Sequence, residues 1–316
     1  MKSIFRIALI GAAISALMSL SSAAFAQGPC PLCGSQVPIK DLDKTLAEAA
    51  GAHGLVRAIA QQIGQMNNYE YVGQGTMVDL EAASLGAPVP VSRYVYNAHQ
   101  QMWASREEII GADKKRTIRV VKGKRGWDET WYEEASKAGP VRKLKTAPVS
   151  EAVARLRGEL MWLQPQMFLS HAAFAAAKKC MTPEIKACET KWSVATENGK
   201  SVINLEIEGR AYKGVLDDDK RVASVETTVN LPSGGGAKKI IAKYSGYRIG
   251  ESAEKTMANF AAMGDKALDK FHNGVFWPSR VVFEMEGKSV LDLLISEGWN
   301  NPYTIYPEPE LLAQGQ

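Results

Sequence analysis

The chain has 316 residues, of which 46% are hydrophobic and 23% charged, and a formal net charge of +4. That is ordinary globular composition and excludes a disordered, collagenous or acidic-tail protein. Lys2 and Arg6 account for two of the surplus positive charges, and the rest is too small a surplus to indicate a nucleic-acid partner.

Those two residues open a tripartite pattern. An uncharged apolar run, Ile7–Leu20, comes after them, and Ala24-Phe25-Ala26 supplies the small-x-small sequence read by signal peptidase. The run is shorter than the ~20 residues a membrane-spanning helix needs. Residues 1–26 are therefore expected to be a secretory signal cleaved after Ala26, with the mature chain in a bacterial periplasm. Gln27-Gly28-Pro29 before the first cysteine does not form a lipoprotein cleavage box.

Next comes a Cys-x-x-Cys segment, residues 27–40. Cys30-Pro31-Leu32-Cys33-Gly34 resembles half of a zinc knuckle, but a full site needs a second knuckle. The other cysteines, Cys180 and Cys188, have the wrong spacing for one. An exported chain meets an oxidising compartment, so disulfides are the preferred reading. Four cysteines allow three connectivities. Local pairing, Cys30 with Cys33 and Cys180 with Cys188, is preferred because neither closure needs a distant contact. No metal site is expected, and no cofactor is implied.

Apolar residues at Leu42, Leu46, Ala49, Val56, Ile59, Ile63 and Met66 predict an amphipathic helix over 41–66, weakened by Gly51 and Gly54. Alternation then predicts strands at 69–79, 92–97, 101–110, 115–122 and 126–132, with a proline-containing loop at 82–90. Helical spacing returns over 150–163 and, after the break at Gln164-Pro165, over 165–178. Further strands are expected at 191–196, 201–208, 211–216, 222–230 and 238–249, with Asn198-Gly199 as a hairpin turn. A helix is expected over 253–271, then strands at 275–285 and 289–296. Residues 300–316 read as an irregular tail. Short connections indicate antiparallel neighbours. Segregated runs of strands and helices indicate an α+β domain, 41–299, built on a large antiparallel sheet.

Four pieces of sequence carry a resemblance. They are Tyr69-x-Tyr71-x-Gly73-x-Gly75 after the first helix, Val120-Val121-Lys122-Gly123-x-x-Gly126-Trp127, Leu160-x-Trp162-x-x-Pro165, and Gly274-Val275-x-x-Pro278-x-Arg280-Val281-Val282 with Gly287-x-x-x-Leu291-Asp292-Leu293. Together they resemble exported proteins of the lipoprotein-carrier (LolA/LppX-like) type. The resemblance implies a half-barrel, a curved antiparallel sheet of about 10–12 strands with helices packed on its concave side. It also implies a hydrophobic cavity for acyl chains. The helix over 253–271 and the cysteine pairs depart from the pattern.

For chemistry, the chain has no Gly-x-Ser-x-Gly elbow, no paired-histidine metal spacing and no phosphate loop. Asp128-Glu129 and Glu133-Glu134 are adjacent carboxylates on one strand, which face opposite ways and do not form a glycosidase pair. Arg106–Lys145 contains twelve Lys or Arg and seven Asp or Glu and reads as a solvated charged face. The aromatic and methionine set is the candidate ligand-binding group: Trp103, Trp127, Trp162, Phe168, Met257 and Phe260. The expected function is a periplasmic, non-enzymatic protein that carries or senses a lipid or other hydrophobic small molecule. A membrane-associated donor or acceptor protein would be its partner. The alternatives are an exported hydrolase with a spatially assembled site, or an interaction module without a ligand. The helix over 253–271 is expected to act as a lid.

Overall fold

The computed structural model describes residues 37–57, 62–63, 68–98, 103–136, 139–180, 186–249 and 276–300. The expected signal segment, Cys30, Cys33, the 253–271 helix with Met257 and Phe260, and the tail beyond Asn300 lie outside the described residues.

Helix α1 (Lys44–Ala52) begins at Asp43, whose carboxylate accepts from the Thr45 N–H at 2.8 Å. It ends far short of the expected residue 66. Gly54 takes φ +69°, and the Leu55 N–H bonds back to the Ala50 carbonyl at 2.9 Å. This left-handed glycine stop overrides the apolar period beyond it. The chain continues in two-residue strands β2 (Val56–Arg57) and β3 (Gln62–Ile63), which form a small sheet with β1 (Val37–Pro38).

Thirteen antiparallel strands make the main sheet. Six are consecutive: β4 (Asn68–Met77), β5 (Val89–Ala98), β6 (Ala104–Gly111), β7 (Arg116–Lys122), β8 (Arg125–Ser136) and β9 (Gly139–Pro148). The other seven are β10 (Lys191–Glu197), β11 (Lys200–Ile207), β12 (Arg210–Leu216), β13 (Val222–Asn230), β14 (Ala237–Ile249), β15 (Phe276–Met285) and β16 (Lys288–Asn300). Each group is a meander, and the pairing of β16 with β4 joins them into one sheet with β10 and β9 at its edges. The sheet is not closed. Hairpin turns at Asn198-Gly199, Glu208-Gly209 and Glu286-Gly287 have positive φ at both central residues, which matches the twist of the strands they join.

Strand β9 is not expected from the sequence. Pro140 and Pro148 interrupt its pattern, and an edge strand tolerates prolines because one side of its ladder has no partner. It brings the total above the expected 10–12.

Between the two meanders run α2 (Glu151–Met161) and α3 (Pro165–Ala176). Ser150 caps α2 by accepting from the Val153 N–H at 3.3 Å. Helix α2 contacts β6, β7 and β8 on one side and β13 on the other. In a flat sheet β7 and β13 would lie seven strand spacings apart, roughly 34 Å. A single helix about 10 Å wide cannot bridge that, so the sheet curls around α2. The face toward the helices carries Val95, Ile203, Leu205, Ala242, Val281 and Leu293, all buried. The opposite face carries exposed ion pairs such as Lys239–Glu226 (3.0 Å), Lys243–Glu284 (2.7 Å) and Arg280–Asp292 (2.8 Å). Surface pairs of this kind add little stability and mark the solvated side.

Cys180 and Cys188 form a disulfide, as the local pairing expected. It ties the segment after α3 to a 3-10 turn at Ala187–Glu189, immediately ahead of edge strand β10. Among the described residues, no helix is long and apolar enough to cross a membrane.

Candidate functional site

The site is a cleft between α2, the central strands of the sheet and the loop after β4, about 590 Å³ when the space at its solvent-open mouth is counted. Its apolar wall includes Leu80 from that loop, Val121 from β7, Leu160 from α2, Phe283 from β15 and Leu291 from β16.

Five charged side chains share this wall: Arg93, Arg119 and Arg157 with Glu81 and Glu107. Strand alternation places three of them. Glu107 and Arg119 are cross-strand partners on β6 and β7, and Arg93 faces Gly73 on β4 and Ile109 on β6. All therefore project toward α2. Arg157 comes down from α2 and uses all five of its N–H donors. Nε and Nη2 donate to the two Glu81 oxygens at 2.7 and 2.8 Å, and Nη2 also donates to Asp128 at 2.6 Å. Nη1 donates to the carbonyls of Val120 at 3.2 Å and Trp127 at 2.8 Å. Burial opposes its charge, but the bonds and charges of Glu81 and Asp128 more than compensate and raise its pKa. Arg119 pairs with Asp79 at 3.0 Å and Glu81 at 3.5 Å.

Arg93 is buried and ion-paired with Glu107 through Nη2. Burial works against its charge here too, and the Glu107 carboxylate outweighs it and raises the pKa. Its Nε and Nη1 have no acceptor among the described residues.

The expected aromatic residues lie elsewhere. Trp103 and Trp162 pack against each other with ring centroids 5.1 Å apart, and His171 and Phe174 complete the cluster. Phe168, on α3, fills the space over Gly214 of β12, where an added Cβ would strike its ring. These three thus sit in the core beside the helices. Trp127 is not brought to them. It lies on the other face of β8, in a small buried cluster with Ala104, Ile118 and Val120, and its Nε1 donates to Glu129 at 3.3 Å. None of the four lines the 590 Å³ cavity, although Trp162 borders a more polar groove of about 900 Å³ near Lys124 and Glu208.

Asp128 and Glu129 do face opposite ways, the first to Arg157 and the second to Arg106 at 2.9 Å. Both are held in ion pairs and neither faces the other across a cleft. His171 bonds to Thr190 at 2.8 Å inside the aromatic cluster, fully buried. Burial lowers its pKa to about 3, so it stays neutral there without contact to solvent. No group of three or more metal-ligating side chains is found among the described residues.

Sequence reasoning misses Arg93 and Arg157, yet both leave a signal. Arg93 sits between Val91 and Val95 on the inward face of a strand, and Arg157 lies one helical turn from Val153 and Leu160 on an apolar stripe. A charge at an apolar position of the period is the mark of a buried polar centre.

No protein-family model matches the chain, and no curated protein is significantly similar to it.

Proposed function

We propose that the protein is an exported binding protein that carries or senses a lipid or another hydrophobic small molecule, its curled sheet acting as a half-barrel around the ligand. The observation that supports this is the cavity under α2, with Leu80, Val121, Leu160, Phe283 and Leu291 on its wall. A sheet that curls without closing needs its interior filled, and a space left by the filling side chains is where an apolar molecule fits. The resemblance of the sequence motifs to lipoprotein carriers supports the same reading, as does the disulfide, which suits an oxidising compartment. A neutral hydrophobic fluorophore should bind the delipidated full chain and be displaced by a lipid extract. Native mass spectrometry of protein purified from its own host should find a co-purified lipid. Absence of binding after delipidation overturns the proposal.

A further inference from the structure

The open sheet has two edges, and they are built differently. Strand β9 carries Pro140 and Pro148, and its charges, Arg142, Lys143 and Lys145, are all positive. Ser136 pairs with Gly139 across a two-residue loop, so β9 turns the backbone of alternate residues, beginning with Gly139, toward β8. Both prolines fall in the other set, which faces the open side, and each leaves a gap where an N–H would be. Missing donors and charge of one sign keep a sheet edge from pairing. Strand β10 has neither device. Lys191–Glu197 contains no proline, and its one lysine and one glutamate cancel. Its register with β11 runs without a bulge, and none of its seven residues is buried. Asn198-Gly199 is a two-residue turn, so Glu197, Ala195, Ser193 and Lys191 exchange hydrogen bonds with β11. The N–H and C=O groups of Trp192, Val194 and Thr196 therefore point the other way, to a side with no partner strand among the described residues.

We propose that β10 is a dimer edge, on which a second copy of this chain pairs antiparallel about a two-fold axis at Val194 and continues one sheet into the other. That register pairs the whole strand. It sets Val194 against its own counterpart, Trp192 against Thr196 of the second copy, and Lys191 against Glu197 of the second copy. Opposite charges thus meet at both ends, on the outward face where Lys191 already pairs with Glu206 and Glu197 with Lys213. The neighbouring registers, centred on Ser193 or Ala195, lose both contacts. The outward-pointing groups of Trp192, Val194 and Thr196 then exchange about six backbone hydrogen bonds between the copies. On the helix-facing side, Trp192 and Val194 are only partly buried against the core, and their counterparts extend its cover. A single strand pair buries less than the ~1,200 Å² of a standard interface, so the dimer is weak and reversible. It does not depend on what the cleft binds.

Sedimentation velocity of the oxidised full-length protein should show reversible monomer–dimer exchange, with a Kd of about 50 μM. Lys191→Glu should weaken association at least about tenfold, because the new carboxylate meets Glu197 of the second copy twice per dimer. Combining it with Glu197→Lys should restore association to within about threefold of wild type. Both side chains are exposed, so these variants keep the fold. Val194→Pro removes the N–H at the two-fold and should be monomeric throughout. At a concentration where the wild type is mostly dimeric, NMR should show slower amide exchange at Trp192, Val194 and Thr196 than in Lys191→Glu. A wild-type chain that stays monomeric up to about 500 μM overturns the proposal. The same holds for a dimer that Lys191→Glu leaves unchanged or that the double exchange fails to restore. Oligomers that grow past the dimer, or slowed exchange on β9 in place of β10, would put the contact at another edge and overturn it as well. If Val194→Pro does not fold, the charge variants decide.

Discussion

Lys124 and Glu208 form an ion pair at 3.0 Å although they sit in turns near opposite ends of the strand order, one between β7 and β8, the other between β11 and β12. Contact between them needs the sheet to bend until its two flanks nearly meet above α2. Both side chains are about half exposed or more. Their coupling is therefore expected to be small, about 0.5 kcal/mol in a double-mutant cycle of Lys124→Ala and Glu208→Ala, and to fade in high salt. Zero coupling at low ionic strength would mean that the flanks stand apart in solution.

Arg157 is the rivet between α2 and the sheet. Arg157→Met keeps an unbranched apolar stem and removes every bond at once, leaving Glu81, Asp128 and two strand carbonyls short of a donor. Breaking a buried pair from one side costs about 3 kcal/mol. Urea unfolding of the variant should show a loss of that order. A loss below about 1 kcal/mol would place the arginine in a wetter setting.

Acid sensitivity arises from the histidines. Burial lowers both His53 and His171 to about 3 in the folded state, with Arg221 adding to the effect at His53. Both titrate near 6.5 when unfolded. Their contribution to stability is fully present above pH 6.5 and is lost as the pH falls toward 3, because the unfolded chain binds protons that the folded chain refuses. Each contributes a slope of about 1.4 kcal/mol per pH unit in that window. His171→Phe should flatten the wild-type slope between pH 6 and pH 4 by about one such increment, read from denaturant unfolding at each pH. An unchanged slope would mean that His171 ionises in the native protein.

The disulfide offers a separate measurement. Thiol titration of unfolded, unreduced protein should find Cys180 and Cys188 unreactive. Their bond closes a short loop, eight residues apart in sequence. Removing it as Cys180→Ser with Cys188→Ser should cost about 2.5 kcal/mol on a chain-entropy account. The loss should appear as easier local opening of β10, measured by amide exchange of Lys191–Glu197 against the opposite edge.

Much of the sheet is legible in the sequence because a half-buried strand writes itself as alternation. Ile203, Leu205 and Ile207, or Val225 and Val229, can be assigned without knowing their partners. The failures have physical causes. The period beyond Gly54 has helical spacing, but one residue at positive φ ends α1 whatever the spacing of the residues after it. Strand β9 hides behind two prolines that only an edge position accepts. The site is less legible than the fold. Large aromatics are the conspicuous candidates, and Trp103, Trp162 and Phe168 fill the core instead. The cavity depends on Arg93, Glu107 and Arg157, which come together from three separate elements. Glu107 belongs to the basic stretch Arg106–Lys145, whose composition alone reads as a solvated face.

The pairing of β16 with β4 carries a consequence for how the molecule is made. Ser296 donates to the Val72 carbonyl across 224 positions of sequence. Chains grow from the N-terminus, so β4 emerges early and waits for a partner that arrives almost last. During that delay the first meander presents an unpaired ladder on β4 and a bare apolar surface. Both invite pairing with another copy of the chain. Such distant closure also makes for slow folding. The interval between synthesis of β4 and of β16 is therefore when a chaperone would be most needed.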